Sequence, residues 1–391
     1  MITINQYKDR GRCFVASVPI KAGTVIVREL PIIQTVNYMD PLQNAFCHQC
    51  LTYHHQHQQH SSPLLHCSKC KLVWYCNRDC ASKDADQHEL ECPSYSRLHS
   101  TNLFDNDCKT MMKMLIKIIV YNHLKQQQQQ QQQQGVESTT TTTTTSIDSF
   151  NIKTILELEG NRSQFPTQRL LGLSKIAKFI EKGLISTKKE LMNGFDQQKL
   201  INIMCILECN THELAFTIPT IKEKYSSSSS LSTQLESMSI QETTTTTTTT
   251  STVKQVQKEE IKITYNYKSI GSGLYDQCSY FNHSCQPNIF KVNQTPGGEL
   301  VMVALRDIEQ GEELFYNYIQ ISMSGEARIK KLKESYFFNC QCPGCKNAPS
   351  HKQFLDKYLC KVKQCNGVIT PLSNLCNICK PYLIDNDNKE S

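Results

Sequence analysis

Eight residues between positions 47 and 92 have the types and spacing of metal ligands: Cys47-x2-Cys50, Cys67-x2-Cys70, Cys76-x3-Cys80 and His88-x3-Cys92. A Cys-x2-Cys knuckle folds two sulfurs onto one tetrahedral ion, and a pair four residues apart suits one face of a helix. Eight ligands fill two zinc ions and leave no open position, so this metal is expected to be structural. Scattered reduced cysteines are the bland alternative, but three ordered pairs followed by His-x3-Cys are hard to reach by chance. His54, His55, His57, His60 and His66 read as exposed loop residues rather than extra ligands. Further along, Cys340-x-Cys342-x2-Cys345 forms a compact set, and Cys360-x4-Cys365 with Cys376-x2-Cys379 reads as a small zinc ribbon with Gly367 in its turn. Cys13, Cys108, Cys205, Cys209 and Cys278 are left without a metal.

A second chemistry is carried by Tyr275–Asn288 (YDQCSYFNHSCQPN) and by RDIEQGEELFYNY at Arg306–Tyr318. Taken singly, His283 would be a satisfied core histidine, and Tyr316 and Tyr318 half-buried strand residues. Taken in order they carry more. Asn282-His283-Ser284-Cys285 followed by Pro287-Asn288, and Gly311-Glu312-Glu313-Leu314 followed by Tyr316 and Tyr318, closely resemble the two core motifs of SET-domain methyltransferases. Asp9-Arg10-Gly11 and Ile20-Lys21-Ala22-Gly23 resemble the first strands of that domain and their turn. The cysteines at 340–345 resemble its post-SET tail. The eight-ligand run, with Trp74-Tyr75 just before Cys76, resembles the MYND finger. The chain as a whole is therefore similar to the SET-and-MYND family over about residues 7 to 345.

That resemblance implies a protein-lysine N-methyltransferase using S-adenosylmethionine on histone or non-histone lysines. Methyl transfer is an in-line displacement by a neutral amine, so the lysine must shed its proton and its water in a narrow aromatic channel. By resemblance, Tyr318 is the tyrosine that orients the nitrogen, and Tyr336 and Phe338 line the channel. Arg10, Gly11, Arg12, Asn210, Ser279, Asn282, His283 and Tyr318 are the implied cofactor contacts, while Tyr280 and Phe281 read as core. The first cofactor loop departs from the family, with Arg12 and Cys13 where asparagine and glycine are usual; glycine is what lets backbone approach a ligand. This departure sustains a second expectation, a catalytically inactive zinc-dependent adaptor. The resemblance also implies interleaved zinc pairing: Cys47, Cys50, Cys76 and Cys80 on one ion, and Cys67, Cys70, His88 and Cys92 on the other. It implies that Cys285 joins Cys340, Cys342 and Cys345 on a third. The implied partners are a substrate lysine and peptides, often proline-rich, at the finger. Only 46 residues follow Cys345, so the long helical repeat domain of the best-known family members is expected to be missing.

The elements that must position these residues are α+β in class: strands at both ends with helices between. The expected order is residues 1–46, the first part of the split SET β-fold; 47–92, the inserted finger; 93–215, a helical linker and intermediate region, broken by a disordered insertion at 126–149; 222–258, a second disordered insertion; 260–320, the SET core; 321–346, the post-SET tail; and 347–391, the ribbon-like piece. Strands are expected at Cys13–Val18, Thr24–Arg28, Ile32–Val36 and Leu300–Leu305, and a helix near Ser324–Tyr336. Homopolymers of Gln, Thr and Ser bury too little apolar surface to offset their ordering entropy. Twenty cysteines without an apolar leader point to a reducing compartment, nucleus or cytoplasm. No apolar run is long enough to span a bilayer. Three four-cysteine sites and one Cys3His site, loaded with zinc, lower the formal +6 to about −1, so the lysines are no argument for nucleic-acid binding. A monomer is expected.

Overall fold

The fold is a computed structural model that describes every residue except 9, 39–42, 55–63, 134–149, 223–261, 293–295, 363–364, 370–375 and 379–391. In chain order it begins with β1 (Ile2–Tyr7), β2 (Gly11–Ala16), β3 (Val25–Glu29) and β4 (Ile33–Val36). The cysteine-rich stretch that follows carries β5 (Leu65–His66) and β6 (Trp74–Tyr75) and leads into the long α1 (Arg78–Ser100). Helices α2 (Asn106–Gln133), α3 (Ile152–Leu156), α4 (Thr167–Thr187) and α5 (Gln197–Asn210) follow. Strands then return as β7 (His212–Lys222), β8 (Lys262–Leu274), β9 (Asn282–His283), β10 (Ile289–Val292), β11 (Leu300–Ala304) and β12 (Phe315–Tyr316). Three helices finish the described chain: α6 (Gly325–Tyr336), α7 (Pro343–Lys346) and α8 (Ala348–Tyr358).

β1 and β2 pair with each other as an antiparallel hairpin, whereas β3 and β4 find their partners late in the chain. β3 pairs antiparallel with β11, so Val27 faces Met302, and β4 pairs antiparallel with β8. β2 is bound on its other side by residues 312–314, with Ala16 N to Glu312 O at 2.9 Å and Leu314 N to Phe14 O at 2.9 Å. β9 and β12 run parallel, setting Asn282 beside Phe315 and His283 beside Tyr316. The strand core is thus one unit split by everything between residues 37 and 211. Its interior includes Phe14, Val27, Tyr275, Phe281, Met302 and Leu314. The helices share a separate core that includes Leu115, Ile119, Leu173, Ile176, Leu200 and Ile203, each fully or almost fully buried. Burial on that scale is worth roughly 1.5–3 kcal/mol per large side chain before entropy is counted.

One half-buried carboxylate fixes the approach to β9. Glu29, at the end of β3, accepts from the backbone N–H groups of Asp276 at 2.7 Å, Gln277 at 3.0 Å and Cys278 at 2.8 Å. Those groups would otherwise be the orphan donors of the 3₁₀ turn at Gln277–Tyr280. A lysine row ties the helices to the sheet in the same manner. Lys113 and Lys117 on α2 donate to Val36 O (2.9 Å) and Gln34 O (3.3 Å) of β4. Four helical residues rise about 6 Å and two strand residues about 6.7 Å, so the two spacings match.

The structure differs from the sequence expectations at several places; of the histidines expected to be exposed in a loop, His54 is half-buried and His66, though exposed, is in β5. Composition ends order at residue 126, yet α2 continues through Gln133, because glutamine is a good helix former and extending a formed helix is cheap. These glutamines are exposed or half-buried and add little to the core. Residues 212–215, expected as helix, begin β7: α5 ends at Asn210 and Thr211 is already extended. Cys76 precedes α1 and lies on β6's exit, so only Cys80 of that pair is helical. The Ser/Thr-rich insertion, His55, His57, His60 and Cys379 lie outside the described residues.

Candidate active site and metal centres

Tyr318 is held from three directions. Its backbone N–H donates to His283 Nδ1 at 2.9 Å, and its hydroxyl donates to the Phe281 carbonyl at 2.8 Å. Its ring lies 4.9 Å from that of Tyr336, 5.0 Å from Tyr316 and 6.5 Å edge-on from Phe338. Tyr316 and Tyr318, two residues apart, are brought to one side where strand alternation would place them. Burial pushes the Tyr318 hydroxyl well above its ordinary range, helped by the Tyr336 hydroxyl and Glu313. It stays protonated, and so acts through dipole and lone pairs rather than charge.

The sequence reading missed His212. It is buried at the start of β7, its ring stacks on Tyr316 at 5.5 Å and 23°, and its Nδ1 lies 3.3 Å from the Tyr316 hydroxyl. Burial lowers its pKa to about 3, aided by the Lys291 ammonium, so the ring is neutral and can accept. Nothing in the spacing of Asn210-Thr211-His212 marks it. The only available signal was a histidine opening a strand directly after a helix.

Glu313 organises the other nominated residues. It accepts from Asn282 Nδ2 at 2.9 Å and from Arg10 Nε at 2.8 Å. Asn288 braces the next turn, donating to Glu313 O at 2.8 Å and accepting from Phe315 N at 2.7 Å. Cys13 is fully buried and its thiol is raised to about 11, by burial first and Glu313 second. The side chain that replaces a glycine therefore points into the core. Gly11 is exposed with a φ of +73°, and a Cβ there would meet nothing within 4 Å. Arg12 lies over the Tyr280 ring, 4.6 Å from its centroid, donates to the Tyr280 hydroxyl at 3.2 Å and reaches the Glu157 carbonyl after α3. Asn210 spends its amide on Glu159 O (2.8 Å) and Ile206 O (2.9 Å), and Ser279 donates to Tyr275 O. Phe281 is core as expected; Tyr280 is half-buried.

The cysteines assemble into four groups whose ligand atoms lie within 4.8 Å of one another: Cys47, Cys50, Cys76 and Cys80; Cys67, Cys70, His88 and Cys92; Cys285, Cys340, Cys342 and Cys345; and Cys360, Cys365 and Cys376. The first two groups are interleaved. Each Cys-x2-Cys knuckle is closed by a left-handed residue, Leu51 at φ 55° and Lys71 at φ 59°. Leu51 N bonds Cys47 O at 2.8 Å and Lys71 N bonds Cys67 O at 3.0 Å, so both sulfurs of each knuckle turn inward. Asn77 caps α1 by accepting from Cys80 N at 2.9 Å, which sets Cys80. His88 and Cys92 then share a face of that helix, with His88 Nε2 3.6 Å from Cys70 Sγ. Sulfur separations are 3.9 Å for Cys50–Cys76, 3.7 Å for Cys67–Cys92, 3.5 Å for Cys285–Cys345 and 3.5 Å for Cys365–Cys376; Cys76–Cys80 is tighter at 3.1 Å. The edge of a tetrahedron with Zn–S bonds near 2.3 Å is about 3.8 Å, so these donor sets fit zinc. Gly367 is needed in the last group, where a Cβ would meet Cys376 Sγ at 2.3 Å. The five cysteines expected to be metal-free join no group among the described residues.

Below Tyr318 opens a cleft of about 420 Å³, lined by Glu208, Tyr318, Gln320, Lys331, Ser335 and Tyr336 among others. Glu208 is paired there with Arg169, whose Nε lies 3.2 Å from the carboxylate.

The SET domain family's sequence model matches residues 11–319. A SET and MYND domain-containing protein of Dictyostelium discoideum is 25% identical over 94% of this chain and 88% of its own length. A histone-lysine N-methyltransferase of Mus musculus is 23% identical over 86% of this chain, and an N-lysine methyltransferase of Danio rerio is 24% identical over 72%. The matched regions span 59% and 47% of those two proteins. A crystal structure of the SET domain of LSMT bound to lysine and AdoHcy covers 87% of this chain and 53% of its own at 10% identity, with a TM-score of 0.35, too loose a likeness to compare atoms.

Proposed function

This chain belongs to the SET-domain family, among its SET-and-MYND members, and from that premise we propose that it is a protein-lysine N-methyltransferase that uses S-adenosylmethionine. The observation that carries the reading is the wall around Tyr318: Tyr316, Tyr336 and Phe338 pack about it while Phe281 O fixes its hydroxyl. Aromatic walls strip water from a lysine amine, and a neutral amine is the nucleophile the reaction needs. The Tyr318 oxygen, with its hydrogen committed to Phe281, offers lone pairs that hold an amine N–H and so aim the nitrogen lone pair. The cofactor, when bound, supplies a methyl group on a sulfonium. Gly11 leaves open space for its approach, and the Arg12 guanidinium is a donor set suited to its carboxylate. Arg10, Asn210, Ser279, Asn282 and His283 complete the proposed contacts.

Zinc in the finger and in the tail serves structure. The tail group lies against Tyr318, Tyr336 and Phe338, so its ion would pin one wall of the channel. The three described cysteines near the end, with Cys379, would hold a fourth ion. The finger is assigned to peptide partners, proline-rich ones included, and the protein to nucleus or cytoplasm as a monomer. Among the described residues no helix is long and apolar enough to cross a membrane.

One observation favours the adaptor reading: Arg12 ties the cofactor loop to Tyr280 and Glu157. Calorimetric titration of zinc-loaded protein with S-adenosylmethionine separates the two, because an adaptor with a closed loop gives no heat of binding. Given binding, Tyr318→Phe is expected to lower the methylation rate by at least about tenfold, or to change the number of methyls added. An unchanged rate and product profile would remove Tyr318 from the mechanism.

A further inference from the structure

The cleft beside Tyr318 carries an uneven charge. Glu208 on one wall is already neutralised by Arg169, which meets its carboxylate through two nitrogens. Lys331, on the α6 wall, has no ion pair among the described residues, whereas its neighbour Lys330 is within 4.0 Å of Glu334. The rest of the polar lining, Gln320 and Ser335, is neutral. Lys331 and Ser335 are four residues apart and so share one face of α6. The adjoining stripe of that helix, through Arg328 and Leu332, is buried, so Lys331 sits at its solvent edge. The cleft thus presents one unspent ammonium close to the tyrosine that meets the target lysine.

We infer that this cleft selects peptide substrates with an acidic side chain within a few residues of the methylated lysine, and that Lys331 is the residue that recognises it. The inference rests on the methyltransferase reading and deepens it. A carboxylate entering the cleft meets the Lys331 ammonium directly, with Gln320 and Ser335 able to donate to its second oxygen. A basic side chain finds Glu208, the one carboxylate among the described lining residues, already engaged by Arg169, and meets like charge at Lys331. The cleft is open, so the attraction is moderate and shrinks with salt.

The test uses the full zinc-loaded chain, S-adenosylmethionine and peptides sharing one central lysine. Glu, Gln or Lys is placed in turn at each of the three positions on either side. Expected is a kcat/KM higher for Glu than for Lys by about fivefold at one or more positions, as befits a solvent-exposed ion pair. Lys331→Glu should reverse that order and Lys331→Gln should flatten it; neither exposed substitution threatens folding. High salt should compress the preference in the wild type. Equal use of Glu and Lys peptides by the wild type, or an order that survives Lys331→Glu, overturns the inference while leaving the methyltransferase reading intact. Failure to methylate any peptide, with no labelling of a whole-cell protein extract, overturns both.

Discussion

His212 and Tyr316 are the pair whose chemistry is easiest to isolate. His212 is buried and its pKa falls to about 3 in the fold, against 6.5 for the free side chain. Between those values the unfolded chain binds a proton that the folded chain refuses, so stability rises with pH and is lost as pH falls from 6.5 towards 3. The slope from this one group is at most about 1.4 kcal/mol per pH unit. His212→Phe keeps the ring stacked on Tyr316 and removes the titration. Its unfolding free energy should therefore be flatter than the wild type's between pH 6.5 and 4, as read from urea midpoints. Parallel curves would mean that His212 is protonated in the fold and that its bond to Tyr316 is not as described. The sequence pointed to Tyr318, Tyr336 and Phe338 because a motif surrounds them. It was silent on His212, because a residue recruited by packing from another element leaves no spacing to read.

Besides strand pairing and the apolar cores, some elements are joined where a lysine or a carboxylate meets backbone. Lys113 is almost fully buried, donates to Val36 O and lies 5.8 Å over the Tyr95 ring, so α1, α2 and β4 converge on it. Lys113→Ala leaves a cavity and an unpaired carbonyl, and should cost about 2–4 kcal/mol in a denaturant titration. A loss under about 1 kcal/mol would show that the α2–β4 seam is held by its apolar neighbours alone. Strands near the termini and helices between them were legible from periodicity, and β11 and α6 fall within a residue or two of expectation. Less legible were the ends of elements. The glutamine run kept helical because composition says little about a helix already nucleated by Met112–Tyr121, and β7 began early because the chain after Asn210 is claimed by β8.

At the scale of the whole molecule, zinc and fold should fail together by region. Cys285→Ser should remove one zinc per chain by elemental analysis and depress methyl transfer, since Tyr318, Tyr336 and Phe338 pack against that cluster. Substituting Cys50 should also remove zinc but act on the finger, leaving the channel wall in place. Equal methyl transfer by Cys285→Ser protein and wild type would detach the tail metal from the active site. The pairing of β3 with β11 has a further consequence, in time rather than space. Val25 waits for Val303, 278 residues downstream. At roughly 5–20 residues per second of synthesis, β3 waits some tens of seconds for its partner, although β1 and β2 can pair with each other at once. The knuckles of the finger close over much shorter spans and can capture metal while the sheet that flanks them is still incomplete. If these clusters take zinc, residues 47–92 can gain a fixed shape before the sheet that flanks them is complete, and the supply of zinc during translation would then influence the order in which the chain folds.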